Sequence, residues 1–164
     1  MSTELRILVG IPASGKSTVV QAWLHNREVN SVISSDAIRK EITGSMEDFT
    51  QEPLVWETIY LRVEASLSAG NATAVDATNV TVKWRAPWIA LGLRYGVVPQ
   101  AYVVYIELND ALQRNATRDR VVPDYVMHTM HKNFEQNCSK GQLENEGFSV
   151  VTEAPGTAEL QIEA

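Results

Sequence analysis

Apolar positions along this chain follow two rhythms that alternate from one end to the other. Compact apolar runs at Leu5–Val9, Ser31–Ser34, Ala72–Asp76, Gln100–Glu107 and Phe148–Val151 read as buried strands. Between them lie segments with apolar residues at helical spacing. Ser17–Asn26 places Val20, Trp23 and Leu24 on one side, and Asp36–Ile42 is a short helix closed by Gly44. Glu52–Ala69 has Pro53 near its start and Gly70 beyond its end, the asymmetry that helix termini favour. Val82–Tyr95, Asp110–Arg118 and a segment opened by Pro123 and running through Asn137 complete the set, with Pro87 either in a first turn or at a kink. Strands that alternate with helices predict βαβ units: an α/β three-layer sandwich, its sheet mostly parallel, with helices on both faces. The acidic tail at 153–164 fits either a short edge strand at 159–162 or a frayed end.

One junction in this pattern carries chemistry. Gly10-Ile-Pro-Ala-Ser-Gly15-Lys16-Ser17 matches G-x-x-x-x-G-K-[ST] and sits between the first strand and the first helix. Glycines let a backbone curl so that its N–H groups point at phosphate oxygens, and the helix N-terminus adds partial positive charge. Gly10, Ala13, Ser14, Gly15, Lys16, Ser17 and Thr18 are therefore expected to bind ATP, with Lys16 bridging the β- and γ-phosphates and Ser17 ligating Mg²⁺. The fold expected is that of a P-loop NTPase. No N-K-x-D guanine motif occurs in the chain.

Three further stretches add to this loop: Ser34-Ser-Asp-Ala-Ile-Arg39, Val75-Asp-Ala-Thr-Asn79, and Arg114-Asn-Ala-Thr-Arg118 followed by Val122-Pro-Asp-Tyr-Val126. Taken together, in this order over about residues 5–137, they resemble the kinase domain of the bacteriophage and bacterial 5′-hydroxyl polynucleotide kinases. The resemblance implies ATP-dependent phosphoryl transfer to the 5′-hydroxyl end of DNA or RNA. It makes Asp36 the general base, Arg39 the holder of an acceptor phosphate, and Asp76 an organiser of the acceptor site. It also makes Arg114 and Arg118 the arginines of a small helical lid, around 114–126, that clamps the ATP phosphates. Catalysis would then fall to Asp36, Lys16 and Arg118. The residues are consistent with these roles. Asp36 follows a strand end, where an α/β sheet meets its ligand, although aspartate there also serves as a helix cap. Arg39 lies one helical turn on, and Arg114 and Arg118 at i, i+4 would share one helix face. Thr78 and Asn79 read as turn and cap residues.

Composition narrows the picture in part. A length of 164 residues with 45% hydrophobic content fits a single domain over 1–164. No apolar run approaches the length of a membrane span, no signal-peptide core follows Met1, and a single cysteine, Cys138, excludes an internal disulfide. A cytoplasmic protein with no membrane partner is the expectation. The net charge of −6 is uneven: residues 141–164 carry five glutamates and no Lys or Arg, leaving 14 basic against 15 acidic side chains, or −1, elsewhere. Nucleic-acid grooves carry several basic contacts. Those near the inferred site are Lys16, Arg39, Lys83, Arg85, Arg114, Arg118, Arg120 and Arg94. Ser35 stands where some family members have a basic residue, and no D-x-D-x-T phosphatase segment is present. A small-molecule acceptor (a sugar, nucleoside or antibiotic hydroxyl) and a nucleotide-dependent binding module thus remain alternative readings. His25, His128 and His131 show no metal-site spacing. The four tryptophans read as packing residues, with Trp84 and Trp88 at i, i+4 also able to stack on a base.

Overall fold

The computed structural model describes residues 2–153. Five strands, β1 (Glu4–Val9), β2 (Ser31–Ser34), β3 (Ala72–Asp76), β4 (Gln100–Val104) and β5 (Ser149–Glu153), form one sheet in the order β2-β3-β1-β4-β5. Every neighbouring pair is parallel. The helices are α1 (Lys16–His25), α2 (Ser35–Thr43), α3 (Glu52–Ser68), α4 (Val82–Tyr95), α5 (Leu108–Ala116), α6 (Asp124–Asn137) and α7 (Lys140–Glu146). The expected α/β sandwich with a parallel sheet is what forms.

Alternation along β1 divides the core. Leu5, Ile7 and Val9 face a layer with Val55, Ile59 and Val63 of α3, Trp88 and Leu91 of α4, and Leu143 of α7. Leu8 faces the other way, against Val19, Val20 and Trp23 of α1. A strand buried on both faces needs a largely apolar run, and β1, its Leu5–Val9 run broken only by Arg6, lies in the middle of the sheet. A third cluster joins Ile11 of the loop after β1 to Ile106, Ala111 of α5, Val122 and Met127 of α6. It holds α5 and α6 over one end of the sheet.

Two boundaries and one helix stand out against expectation. The fourth strand stops at Val104 rather than Glu107. Its neighbour β1 ends at Val9, paired with Val103, so the chain beyond finds no ladder on that side. Ile106 packs instead into the third cluster, and Glu107 becomes the N-cap of α5. Helix α5 ends at Ala116 with Thr117 as its C-cap, two residues short of the predicted end. Helix α7 was not expected; it is short and buries only Leu143, too little for a visible period, although Ser139 caps its start and Gly147 closes it at φ 114°. Pro87 falls in the second turn of α4, which continues past it. The proposed edge strand at 159–162 lies outside the described residues. No helix among the described residues is long and apolar enough to cross a membrane.

Candidate active site

The C-terminal ends of β1, β2 and β3 bring three sequence-distant stretches to one crevice, as open parallel sheets do. Between β1 and α1 the chain takes left-handed backbone at Ala13 (φ 65°) and Gly15 (φ 103°), a geometry that curls a loop into an anion-binding concavity. Gly10 closes the loop from below. Its N–H donates to the Thr78 carbonyl at 3.0 Å, and a Cβ placed there would lie 2.8 Å from the Val104 carbonyl oxygen and 2.9 Å from Ser14 Oγ. Only glycine fits.

Lys16 opens α1 and is nearly buried. Its Nζ donates to the Ile11 carbonyl oxygen at 2.7 Å and to Ser14 Oγ at 3.5 Å. Burial pushes its pKa down to about 8; Arg118 adds to the fall, and Asp76 and Asp36 oppose it. Asp76, ending β3, is shifted the other way. Burial raises it, with Asp36 contributing, while Lys16 and the Ser17 hydroxyl pull it back. Lysine, hydroxyl and carboxylate therefore form one electrostatically linked group at the mouth of the loop. Ser17 and Asp76 are the residues that fit Mg²⁺, which binds few protein groups and completes its shell with water and phosphate oxygens.

Asp36 stands in the first turn of α2. It is not the cap. Ser34 is, its Oγ accepting from the Ala37 N–H at 3.3 Å, and this leaves the Asp36 carboxylate free to meet two arginines. Arg39 Nη1 donates to Oδ1 at 2.7 Å, and Arg120 Nη1 donates to Oδ2 at 2.5 Å. Arg39 is itself buried and fully engaged. Its Nε and Nη2 donate to the two oxygens of Glu52 at 2.5 and 3.1 Å, and the Phe49 ring lies 4.4 Å from its guanidinium carbon.

One cleft of about 740 Å³ joins these groups. Ala13, Gly15, Lys16, Ser17, Thr18, Asp36, Arg39, Asp76, Arg114 and Arg118 all line it, as do Glu52, Arg120 and the apolar side chains of Met46, Phe49, Trp56, Trp84, Val126 and Met130. Gly10 and Ser14 do not line it, and Ser14 has no exposure at all. Arg118 Nη1 and Arg120 Nε are buried without a hydrogen-bond partner among the described residues. Unpaired buried donors are costly, and phosphate oxygens entering the cleft would satisfy the Arg118 donor.

Five sequence expectations need correcting. Arg114 and Arg118 reach the cleft, but not from one helix face, because α5 ends between them. Trp88 is fully buried and donates its Nε1–H to Asn79 Oδ1 at 3.0 Å, so it is unable to stack on a base. Arg85 is fully buried away from the cleft, bound to Glu146, Asn137 O and Asn79 O. Arg94 pairs with Glu64 and does not line the cleft. Asn79, read as a turn or cap residue, is a buried pin with φ 48°: its Nδ2 donates to the Leu8 carbonyl at 2.8 Å. Glu52 and Phe49 carried no sequence signal, since each meets Arg39 across a loop. Arg120 was visible only as one more charge in a basic stretch.

Comparison with known proteins agrees with this architecture. A family model described as an AAA domain, AAA_33, matches residues 5–137. Among solved structures, a chain of the Pnkp1/Rnl/Hen1 RNA repair complex superposes at a TM-score of 0.72 and 18% identity over 98% of this chain and 50% of that one. A second structure of the Pnkp1/Rnl/Hen1 complex gives 0.61 and 23% over 69% of this chain and 39% of that one. A gluconokinase from Sinorhizobium meliloti gives 0.60 and 15% over 94% and 85%. The chain thus spans half or less of the RNA repair chains it matches.

Proposed function

The chain belongs to the AAA_33 family of AAA domains, and from that premise we propose that it is an ATP-dependent phosphotransferase whose acceptor is the 5′-hydroxyl end of DNA or RNA. The observation that carries the reading is the position of Asp36: a carboxylate lining the same cleft as Lys16 and the phosphate loop, and electrostatically linked to that lysine. In this reading the loop and Lys16 hold the ATP phosphates, and Arg114 and Arg118 close on them from the other side. Asp36 takes the proton of the attacking hydroxyl as the acceptor oxygen bonds to the γ-phosphorus and the bond to ADP breaks. Magnesium, held through Ser17 with Asp76 behind it, would neutralise charge on the phosphates. Asp76 and Arg39 organise the acceptor side, Arg39 by fixing Asp36.

A small-molecule hydroxyl acceptor is the second reading. It is favoured by the bonding of Arg39, whose N–H groups face Glu52, Asp36 and the Met46 carbonyl, leaving little for an acceptor phosphate. The apolar wall of Phe49, Trp56 and Trp84 also suits a compact, weakly charged acceptor.

The deciding experiment follows transfer of labelled γ-phosphate from MgATP to a short 5′-hydroxyl oligonucleotide. Label on the 5′ end that drops by about 10²–10⁴ in Asp36→Asn, with ATP binding kept, is the expected result. ATP bound but no labelled oligonucleotide would sink the nucleic-acid acceptor and leave the small-molecule one. Oligonucleotide binding should also weaken steeply with salt, whereas a neutral acceptor should barely respond. Function unaltered in Asp36→Asn would point instead to a nucleotide-dependent binding module.

A further inference from the structure

The two arginines on Asp36 are held very differently. Arg39 is fixed: it is 4% exposed, locked by both oxygens of Glu52 and covered by Phe49. Arg120 comes from the turn between α5 and α6, and its contact with Asp36 spans 84 positions of sequence. That turn is anchored at its far end, where Asn115 Nδ2 donates to the Val122 carbonyl at 2.6 Å and Asn115 Oδ1 accepts from the Val122 N–H at 3.0 Å. Among the described residues Arg120 has one ion pair, to Asp36 Oδ2, and its Nε is buried without a partner. One oxygen of Asp36 thus has a permanent partner and the other a replaceable one.

We propose that Arg120 is a latch on the acceptor side: it covers Asp36 Oδ2 until an acceptor hydroxyl displaces it, and so keeps water from using Asp36 as its base. The inference rests on the reading of Asp36 as the proton acceptor. With the latch in place, the guanidinium lies where an attacking oxygen would approach Oδ2. Without it, water can donate a proton to Asp36 as its oxygen bonds to the γ-phosphorus, the bond to the ADP oxygen breaks, and ADP leaves with the electron pair. The products are ADP and inorganic phosphate, and the proton passes from Asp36 to solvent. A kinase with an open cleft needs such a guard, because water is always present and the acceptor is not.

Arg120→Ala isolates the latch, and its readout requires no acceptor. ATP hydrolysis with Mg²⁺ alone is expected to rise about tenfold or more, a fraction of what a general base supplies. Loss of folded protein lowers hydrolysis, so a merely structural role for Arg120 predicts the opposite sign. Arg120→Gln, a smaller change, is expected to rise in the same direction, and Asp36→Asn added to either variant should return hydrolysis to the wild-type level or below. Unchanged or reduced hydrolysis in both variants, with ATP affinity within about twofold of wild type, overturns the latch and leaves the phosphotransferase reading standing. Failure of the wild-type protein to bind ATP overturns that reading, and the latch falls with it.

Discussion

Replacing Asn79 with alanine tests whether the floor of the cleft is held by the side-chain bonds described above. Asn79 is 1% exposed and joins two elements: Nδ2 donates to the Leu8 carbonyl of β1 at 2.8 Å, and Oδ1 accepts from Trp88 Nε1 of α4 at 3.0 Å. The truncation strands the Trp88 N–H, on a side chain with no exposure, and removes one acceptor's partner two residues before Gly10. Each stranded buried group costs about 1–3 kcal/mol. Alanine at φ 48° adds strain of about 1 kcal/mol, because asparagine tolerates the left-handed region better. The sum is about 3–7 kcal/mol. For a domain of this size each kcal/mol lowers Tm by about 2–4 °C, so a fall of about 6 °C or more is expected in thermal unfolding followed by circular dichroism. The indole bond is isolated by a cycle with Trp88→Phe, which removes the N–H and keeps most of the ring. Asn79→Ala in that background should cost about 1 kcal/mol less than in wild type. Costs that add without coupling, or an Asn79→Ala protein as stable as wild type, would refute the assignment of Asn79 as a pin.

Two further outcomes follow from charge. Lys16 has a pKa of about 8 against an ordinary 10.5, so between those values the folded protein carries fewer protons on this group than the unfolded chain, and its contribution to stability rises with pH across that window. Phosphate binding favours the protonated form, so ATP binding near pH 8 should take up protons and weaken as pH rises further. Titration calorimetry in two buffers of different ionisation enthalpy measures the uptake, and equal apparent enthalpies would contradict it. Glu146→Ala should destabilise the protein by about 3 kcal/mol, because it leaves the fully buried Arg85 without its carboxylate. Urea unfolding reads that loss, and a change under 1 kcal/mol would show that the Asn79, Asn137 and Cys138 contacts suffice for Arg85.

Sequence alone determined the alternation of strands and helices, and with it the parallel sheet, since an apolar run flanked by helical periods has few other ways to bury itself. It also determined the phosphate loop, because glycine at 10 and 15, lysine at 16 and a hydroxyl at 17 are demands made by a single contiguous turn. Asp36, Asp76, Arg114 and Arg118 were legible as candidates for the same reason: each sits at a strand end or in a short motif. Tertiary structure decided what these side chains do to one another. The pairing of Arg39 with Glu52 spans 13 positions and that of Arg120 with Asp36 spans 84, and no local period records either. It also sorted the arginines, sending Arg85 into the core against Glu146 and leaving Arg120 in the cleft. Hydrophobic periodicity reports which face of an element is buried. The partner of a charge depends on the path of the whole chain, and only the folded sheet with its helices laid across it brings those ends together.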